Sequence, residues 1–334
     1  MRTGISFAAT LVCLVGARAE AKDAGFLHDL SDYVGSRLDA LRAAHVPKLV
    51  PPVKIDVAWH PQKLAPALDL GAPLVAMTAA DLDGDGKAEL YAVTAREVIA
   101  IGIVDHHAKE LGRVAFAGER AVPESRDVVG TAITVGKTVI ASVSSFQRGL
   151  RVSWRGKTLV GDLGEPGFEQ CPGEHAQLAA GRDYFGDAQN MTYAVRCRTD
   201  LVDAEGHPLA LRATLSGAGK LDVTVDRCAA GGAGCQRASD AALTKVGFAF
   251  ELADLDRDGR PEVVYAGAGA PGVPDELRAV TLGEDEHKTK WRKQFVAEGI
   301  AGIAVGDVDG DGKPEVLAAL RLFGSARTEI WRMN

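Results

Sequence analysis

The sequence predicts an all-β fold in which short strands are joined by acidic loops. The main observation is a sequence motif that occurs three times: an apolar run, an acidic loop containing glycine, and a second apolar run. In the last copy, residues 303–305 precede the loop and residues 316–320 follow it. A second observation is the strict alternation of apolar and polar residues over 221–225. Both patterns are typical of β-strands bounded by turns.

Each acidic loop places four carboxylates at its positions 1, 3, 5 and 9, with glycine at position 6. Alternate acids on a backbone curled by glycine can converge on one point, and oxygen ligands of this kind suit calcium. A solvated acidic hairpin without metal is the alternative, and three copies in the same strand context weigh against it. The candidate ligands are Asp81, Asp83, Asp85 and Glu89 in the first loop, Asp254, Asp256, Asp258 and Glu262 in the second, and Asp307, Asp309, Asp311 and Glu315 in the third.

An EF-hand is excluded by the end of each loop. An EF-hand loop needs a bidentate glutamate at position 12. Here position 12 is Ala92, Tyr265 or Ala318, and the residues that follow are rich in β-branched and apolar types instead of forming a helical pattern.

On these residues the three copies resemble FG-GAP/VCBS repeats, the units of integrin-α-type β-propellers. The motif that carries the resemblance is apolar strand, D-x-D-G-D-G, Pro-Glu, apolar strand; residues 96–246 match it poorly. The resemblance implies a β-propeller whose repeats each form a four-stranded blade. It also implies calcium between the first two strands of a blade, hence about three calcium sites in different blades that should act independently.

The N-terminal residues predict export followed by a short helix. Residues 1–19 read as a signal peptide, with Arg2 before an apolar stretch and small residues at the cleavage site. Residues 20–50 form a helical segment and linker, because leucine and valine recur at steps of three or four over 27–44. Residues 51–334 are then the calcium-binding propeller. We expect a periplasmic, cell-surface or extracellular protein without a transmembrane span after signal cleavage.

The remaining strands divide the chain into repeating units. The second and third acidic loops start 307 − 254 = 53 residues apart, and 254 − 81 = 173 residues fit three such steps with an insertion. We therefore favour five blades, with six or seven as alternatives. The last unit lacks an outer strand, and residues 53–59 are predicted to supply it and close the ring. Predicted strands in the first three units are 74–78, 90–94, 98–104, 112–116, 128–135, 138–143, 150–154, 192–196, 209–213 and 221–225.

Four cysteines remain after removal of the signal peptide, and an even number in an exported chain predicts disulfides. Three pairings are possible. We favour Cys171–Cys197 and Cys228–Cys235, because the members of each pair are close in sequence.

No catalytic motif is present, and the adjacent His106 and His107 fall in a predicted turn. The net charge of −7 weighs against a nucleic-acid partner. We therefore predict a module for binding a protein or glycan, for scaffolding or for adhesion. The alternative is a carbohydrate-active lyase or hydrolase with its site in the central channel, where histidine, acidic and arginine side chains from several blades should converge. A purely structural envelope component is a third hypothesis.

Overall fold

The computed structural model describes one residue near the N-terminus and most of the chain beyond residue 59. The chain divides into units 1–48 and 49–334. In the first unit Val34 has helical backbone and is 46% exposed. The rest of the helix predicted over 27–44, the signal peptide and the strand predicted over 53–59 lie outside the described residues. The described residues are 34, 60–117, 130–166, 168–171, 174–176, 192–216, 219–229, 234–267, 275–282, 288–295, 299–321 and 327–333.

The described part of the second unit consists of strands and their connections. None of its segments is a helix long and apolar enough to cross a membrane. The strands of the first sheets are β1 Pro61–Asp69, β2 Leu74–Ala80, β3 Glu89–Thr94, β4 Glu97–Val104, β5 His107–Ala115, β6 Gly130–Val135, β7 Thr138–Val143, β8 Arg148–Arg155, β9 Thr158–Pro166, β10 Phe168–Cys171 and β11 Glu174–Ala176. The remaining strands are β12 Thr192–Val202, β13 Pro208–Ser216, β14 Leu221–Arg227, β15 Gln236–Leu243, β16 Val246–Ala253, β17 Glu262–Gly267, β18 Asp275–Thr281, β19 Lys288–Phe295, β20 Ile300–Gly306, β21 Glu315–Arg321 and β22 Arg327–Met333.

These strands form antiparallel four-stranded units. Three are separate sheets, β6 to β9, β12 to β15 and β16 to β19. An eight-stranded sheet has the order β2-β3-β4-β5-β1-β22-β21-β20, so it joins the unit β2 to β5 to a unit made of β20, β21, β22 and β1. A two-stranded hairpin, β10 and β11, accompanies them.

Strand β1 completes the C-terminal unit by pairing antiparallel with β22, from Pro61 opposite Met333 to Asp69 opposite Arg327. Its other edge meets β5 through the single parallel pair Ala65 and His107. The predicted closure of the last unit by an N-terminal strand is therefore observed. The predicted segment was wrong, because β1 and not residues 53–59 occupies this place.

The first strands of neighbouring units contact one another. Strand β2 contacts β6 and β20, and β16 contacts β12 and β20. Strand β10 contacts both β6 and β12. The four-stranded units are thus arranged in a β-propeller-like way, with their first strands side by side.

Apolar clusters fill the spaces between neighbouring units. Each of four clusters combines buried side chains of two neighbouring four-stranded units, for example Tyr91 with Leu150, or Phe250 with Leu211. Strand β3 is buried along all six residues. Sheets covered on both faces need such continuous apolar strands, which explains the apolar runs that flank the acidic loops.

Two disulfides are present, with the pairing expected from sequence proximity. Cys171 on β10 is bonded to Cys197 on β12, and Cys228 is bonded to Cys235 across the connection between β14 and β15. The first bond ties the β10–β11 hairpin to the third four-stranded unit.

Candidate metal centre

The three acidic loops occupy equivalent places in the fold. Each connects the first strand of a four-stranded unit to the second: β2 to β3, β16 to β17, and β20 to β21. We call them loop 1 (81–89), loop 2 (254–262) and loop 3 (307–315).

The aspartate at position 1 organises the backbone of each loop. In loop 1 the N–H groups of Gly84 and Gly86 donate to the two carboxylate oxygens of Asp81, at 2.7 and 3.0 Å. In loop 3 the corresponding glycines donate to Asp307, both at 2.7 Å. The glycines have φ between 81° and 90°, which an L-residue adopts only with strain. Glycine at positions 4 and 6 therefore lets the loop wrap around its first carboxylate.

The aspartates at positions 3 and 5 each accept an N–H from two residues further along. Asp85 N–H donates to Asp83 at 3.1 Å, and Lys87 N–H donates to Asp85 at 2.8 Å. Loop 3 repeats both bonds at the same distances, from Asp311 to Asp309 and from Lys313 to Asp311. Each of these bonds uses one carboxylate oxygen, so the second oxygen of Asp83, Asp85 and Asp311 is available to a cation.

The glutamate at position 9 is the last residue of each loop and the first residue of the strand that follows it. Glu89, Glu262 and Glu315 begin β3, β17 and β21 and are 4%, 0% and 2% exposed. The N–H at position 2 donates to this carboxylate in every loop: Leu82 to Glu89, Leu255 to Glu262 at 2.8 Å, and Val308 to Glu315 at 2.9 Å. Loop 1 adds a bond from the Tyr91 hydroxyl to Glu89 at 2.9 Å.

The predicted ligands converge fully in two loops and partly in the third. One oxygen from each of Asp81, Asp83, Asp85 and Glu89 lies within 4.8 Å of the others, and the same holds for Asp307, Asp309, Asp311 and Glu315. In loop 2 the set comprises Asp254, Asp256 and Glu262.

Asp258 stands outside the loop 2 set because a neighbouring arginine engages it. The Arg260 guanidinium donates to one Asp258 oxygen at 2.9 and 2.5 Å. Loop 2 also carries Arg257 in place of glycine at position 4, with φ of 59°. The prediction that all four acids of loop 2 gather is therefore not met for Asp258.

The crowded carboxylates have perturbed acidities. Burial, together with the nearby charges of Asp83 and Asp85, raises the pKa of Glu89 to about 7. Burial and the charges of Asp309 and Asp307 likewise raise the pKa of Glu315 to about 7. Burial also raises the pKa of Asp254. Each loop therefore holds more negative charge than its surroundings favour, which a bound cation would offset.

The residues fit a hard divalent cation. The donors are all carboxylate oxygens, they converge without a blocking group in loop 1, and the backbone N–H groups already hold them in place. Calcium accepts six to eight oxygen ligands and tolerates irregular geometry, so four carboxylates with added backbone or water oxygens suit it.

A fourth cluster was not predicted from the sequence. In the connection between β12 and β13, Asp203, Glu205 and His207 come together. Asp203 accepts the N–H of Glu205 at 3.1 Å and of His207 at 2.7 Å, both at Oδ1, so the donors lie two and four residues further along instead of three and five as in loops 1 and 3. Here, however, Arg227 pairs with Asp203 at 2.6 Å and supplies the positive charge. The only sequence signal was the alternation of Asp, Glu and His.

His106 lies in the turn between β4 and β5, as predicted, whereas His107 is the first residue of β5. His107 Nδ1 bonds to the Asp105 carbonyl at 2.7 Å, while His106 Nδ1 lies 3.4 Å from the Arg332 guanidinium. The two side chains therefore serve separate local contacts.

Comparison with known families identifies the repeat. The model of the FG-GAP-like repeat matches residues 254–318. That segment begins at the first acid of loop 2 and ends in β21, beyond loop 3. The chain therefore contains an FG-GAP-type repeat. The match was expected from the acidic motif, and it covers two of the three loops.

Other comparisons concern overall structure. No curated protein matches. A luciferin-regenerating enzyme is similar over 83% of this chain and 95% of its own, with 11% identity and a TM-score of 0.40. An α-L-arabinofuranosidase from Podospora anserina, solved with cellotriose, is similar over 84% of this chain and 99% of its own, with 10% identity and a TM-score of 0.44. At these identities and scores, neither structure carries an argument about the activity of this FG-GAP repeat-containing protein.

Proposed function

We propose that this FG-GAP repeat-containing protein is an exported, calcium-binding β-propeller of five four-stranded blades. It would act as a module that binds a protein or glycan, or as a scaffold, at the cell envelope or outside the cell. The observation that carries the calcium assignment is the convergence of four carboxylates in loops 1 and 3, within 4.8 Å. The backbone of each loop is already wrapped around the first of these acids.

The ligands proposed for each ion follow from that geometry. Asp81, Asp83, Asp85 and Glu89 would hold the first ion, and Asp307, Asp309, Asp311 and Glu315 the third. Asp254, Asp256 and Glu262 would hold the second, with Asp258 joining only if it leaves Arg260. A bound calcium ion would neutralise the carboxylates and fix the connection between the first two strands of each blade. The role proposed for the ions is therefore structural.

The order of strands supports five blades. Units β2 to β5, β6 to β9, β12 to β15 and β16 to β19 supply four, and β20 to β22 with β1 supply the fifth. Placing the first and last strands of the propeller in one blade removes the open edge that a linear row of sheets would leave.

Export is supported by the disulfides. Disulfides persist in oxidising compartments and are rare in the cytosol. The two bonds, Cys171–Cys197 and Cys228–Cys235, lie in one region of the chain, around the third blade. A periplasmic, cell-surface or extracellular location is consistent with both.

The binding role is favoured over an enzyme by the first strands of the blades. The charged residues on β2, β6, β12, β16 and β20 all lie on two neighbouring strands: Arg196, Arg198 and Asp200 on β12, and Glu251 on β16. Glu251 is 7% exposed, and Arg198 bonds Asp200 through two nitrogens at 2.6 and 2.7 Å. A channel enzyme would need such groups from several blades, so we do not propose the carbohydrate-active alternative.

Thermal unfolding with calcium and with EDTA tests the calcium assignment. A ligand that binds only the folded state adds about 2.7 kcal/mol per site at a hundredfold excess over its Kd. We expect EDTA to lower the Tm, and isothermal titration to give two to three calcium ions per chain. Magnesium should replace calcium poorly, because it demands a strict octahedral shell. An unchanged Tm with no calcium heat would refute the assignment.

The binding role is tested by incubating the calcium-loaded protein with an array of glycans and with chromogenic aryl glycosides. Retention of a glycan without turnover would support a binding module. Turnover that survives a second purification step would instead support the enzyme alternative.

A further inference from the structure

Arg332, on β22, is a buried cation beside loop 3. It is 4% exposed, and its guanidinium donates to Asp309 Oδ2 at 3.0 Å. The same guanidinium donates to Gln62 on β1 at 3.2 Å and lies 3.4 Å from His106 in the turn between β4 and β5. Its Nε has no hydrogen-bond partner among the described residues. Asp309 is thus shared between a fixed positive charge and the calcium ion proposed for loop 3.

The equivalent positions in the other calcium-loop blades are alanine. Arg332 stands opposite Leu317, two residues after the closing glutamate of loop 3. In loop 1 the residue two after Glu89 is Tyr91, which stands opposite Ala100. In loop 2 the residue two after Glu262 is Val264, which stands opposite Ala279. Loops 1 and 3 therefore provide the same four-carboxylate site without and with a buried arginine.

We propose that Arg332 competes with calcium for Asp309, so that loop 3 binds calcium more weakly than loop 1 and fills after it. This inference rests on the proposed calcium binding. The guanidinium and a calcium ion are both positive, and their repulsion is stronger at a half-buried site, because the local dielectric is lower and solvent screens the charges less. In loop 1 the matching alanine leaves all four carboxylates to the ion.

The competition links loop 3 to closure of the ring. Arg332 connects β22 to Gln62 on β1 and to the β4–β5 turn, which are the elements that meet where the chain's last blade joins its first. Asp309 therefore holds the guanidinium at this junction when no cation is bound. Calcium at loop 3 takes over Asp309 and leaves Gln62 and His106 as the guanidinium's partners.

Single-site proteins allow the two loops to be compared directly. Asp83→Asn with Asp256→Asn weakens loops 1 and 2 and leaves loop 3. Asp256→Asn with Asp309→Asn leaves loop 1. Isothermal titration with calcium should give a Kd at loop 1 about tenfold lower than at loop 3, which corresponds to about 1.4 kcal/mol. Equal calcium affinities of the two loops, or a lower Kd at loop 3 than at loop 1, would overturn the proposal even before Arg332 is substituted.

Substitution of the arginine supplies the second measurement. In the protein with only loop 3 intact, Arg332→Met removes the charge and keeps most of the apolar volume, and Arg332→Ala reproduces the alanine of the other blades. Each should lower the Kd of loop 3 about five- to tenfold. Arg237→Met is the matched control, because Arg237 lies on the outer strand of the third blade and pairs with Asp226 and Asp240. It removes the same net charge and should change the Kd by less than about twofold.

The outcomes separate this proposal from the assignment on which it rests. If the unsubstituted protein and all variants bind no calcium, the proposed function fails, and the competition fails with it. If calcium binds and the arginine variants and Arg237→Met behave alike, only the competition fails. If the arginine variants do not fold, the comparison of the two single-site proteins decides the question alone.

Discussion

The backbone N–H of Ala88, in loop 1, donates a hydrogen bond to the carbonyl of Asp307, in loop 3, at 2.6 Å. The loops also touch elsewhere, since a Cβ at position 310 would lie 3.2 Å from Lys87 Cγ. Loop 1 is in the first blade of the chain and loop 3 is in the last. Two candidate calcium sites that are far apart in sequence are therefore in direct backbone contact.

The glycines at position 6 provide a test of how tightly each loop is packed. Gly86, Gly259 and Gly312 all have φ between 77° and 90°. A Cβ at Gly86 or Gly312 would meet nothing within 4 Å, whereas at Gly259 it would lie 2.1 Å from the Ala204 nitrogen. Gly86→Ala and Gly312→Ala should each cost about 1–2 kcal/mol of unfolding free energy from backbone strain. Gly259→Ala should cost about 3 kcal/mol or more, because backbone must also move.

Urea unfolding in EDTA measures these costs without a contribution from bound calcium. The two open positions serve as controls for strain alone. Similar losses at all three glycines would show that loop 2 does not press against the connection at Ala204.

The hydroxyl of Tyr91 is expected to hold Glu89 in place for the cation. It donates to Glu89 at 2.9 Å and accepts a bond from Trp154 Nε1 at 2.9 Å. Burial raises the pKa of Tyr91, so the hydroxyl stays protonated. Tyr91→Phe leaves the partly buried indole N–H of Trp154 and the buried carboxylate of Glu89 without this partner, which should cost about 1–3 kcal/mol. The calcium affinity of loop 1 should fall roughly tenfold, as it does when a metal ligand loses its outer support.

Tyr265→Phe is the control for this change. Tyr265 is 4% exposed in the strand after loop 2, and its hydroxyl interacts with Arg278 on the adjacent strand. The substitution should lower stability without altering the calcium affinity of loop 2. Equal effects on affinity at both loops would contradict a specific role for Tyr91.

Glu251 should give the protein a distinctive dependence on pH. Burial raises the pKa of this carboxyl above its usual value of 4.5, against the opposing charges of Arg198 and Arg196. The native state therefore holds the proton more tightly than the unfolded state, so stability falls as pH rises from about 4.5 through the native pKa. Glu251→Gln cannot ionise and lacks this slope. The stability of the variant relative to the unsubstituted protein should rise over that interval.

Glu110→Gln is the control for the pH measurement. Its hydrogen bond with Arg113 lowers the pKa of Glu110, so the stability it adds is complete above pH 4.5 and is lost only at lower pH. Urea unfolding from pH 4.5 to 8 should therefore show a constant difference for Glu110→Gln. A constant difference for Glu251→Gln as well would show that Glu251 does not titrate in this range.

The strands and the metal ligands were predictable because both depend on local sequence. A strand predicted over 90–94 corresponds to Glu89–Thr94, since an apolar run buried on both faces has few alternatives. The closing strand was misplaced because β1 is an outer strand with two prolines, in which Leu64 is the one fully buried side chain. Such a strand lacks the apolar pattern, and its prolines are tolerated because it pairs fully along only one side, its contact with β5 being the single pair Ala65 and His107.

The chemical differences among the loops were not predictable, because they come from residues outside the repeated motif. Arg260, two residues away, pairs with Asp258 and keeps it out of the loop 2 carboxylate set. The sequence does not show that this arginine pairs with its neighbouring acid whereas, among the described residues, the equivalent lysine of loop 3 does not enter such a pair. Arg332 reaches Asp309 from another strand. Arg227 likewise reaches Asp203 from another strand and pairs with it.

The contact between Ala88 and Asp307 changes what the sequence predicted about independence of the loops. Sites in different blades should lose calcium-dependent stability additively, which is the rule for distant positions. Loops 1 and 3 are joined by this hydrogen bond, so loosening one loop should weaken calcium binding at the other. The second substitution should then remove less calcium-dependent stability than it removes alone.

Asp85→Asn and Asp311→Asn are suitable changes to test this coupling, because both acids lie at position 5 and neither is the acid that pairs with Arg332. We expect the double variant to fall short of the sum by at least about 0.5 kcal/mol of calcium-dependent unfolding free energy, the lower end for coupled neighbours. Asp85→Asn combined with Asp256→Asn, in loop 2, is the matched pair and should add to within about 0.3–0.5 kcal/mol. Additivity in both pairs would mean that the hydrogen bond between loops 1 and 3 does not couple their calcium sites energetically and that the three sites act independently.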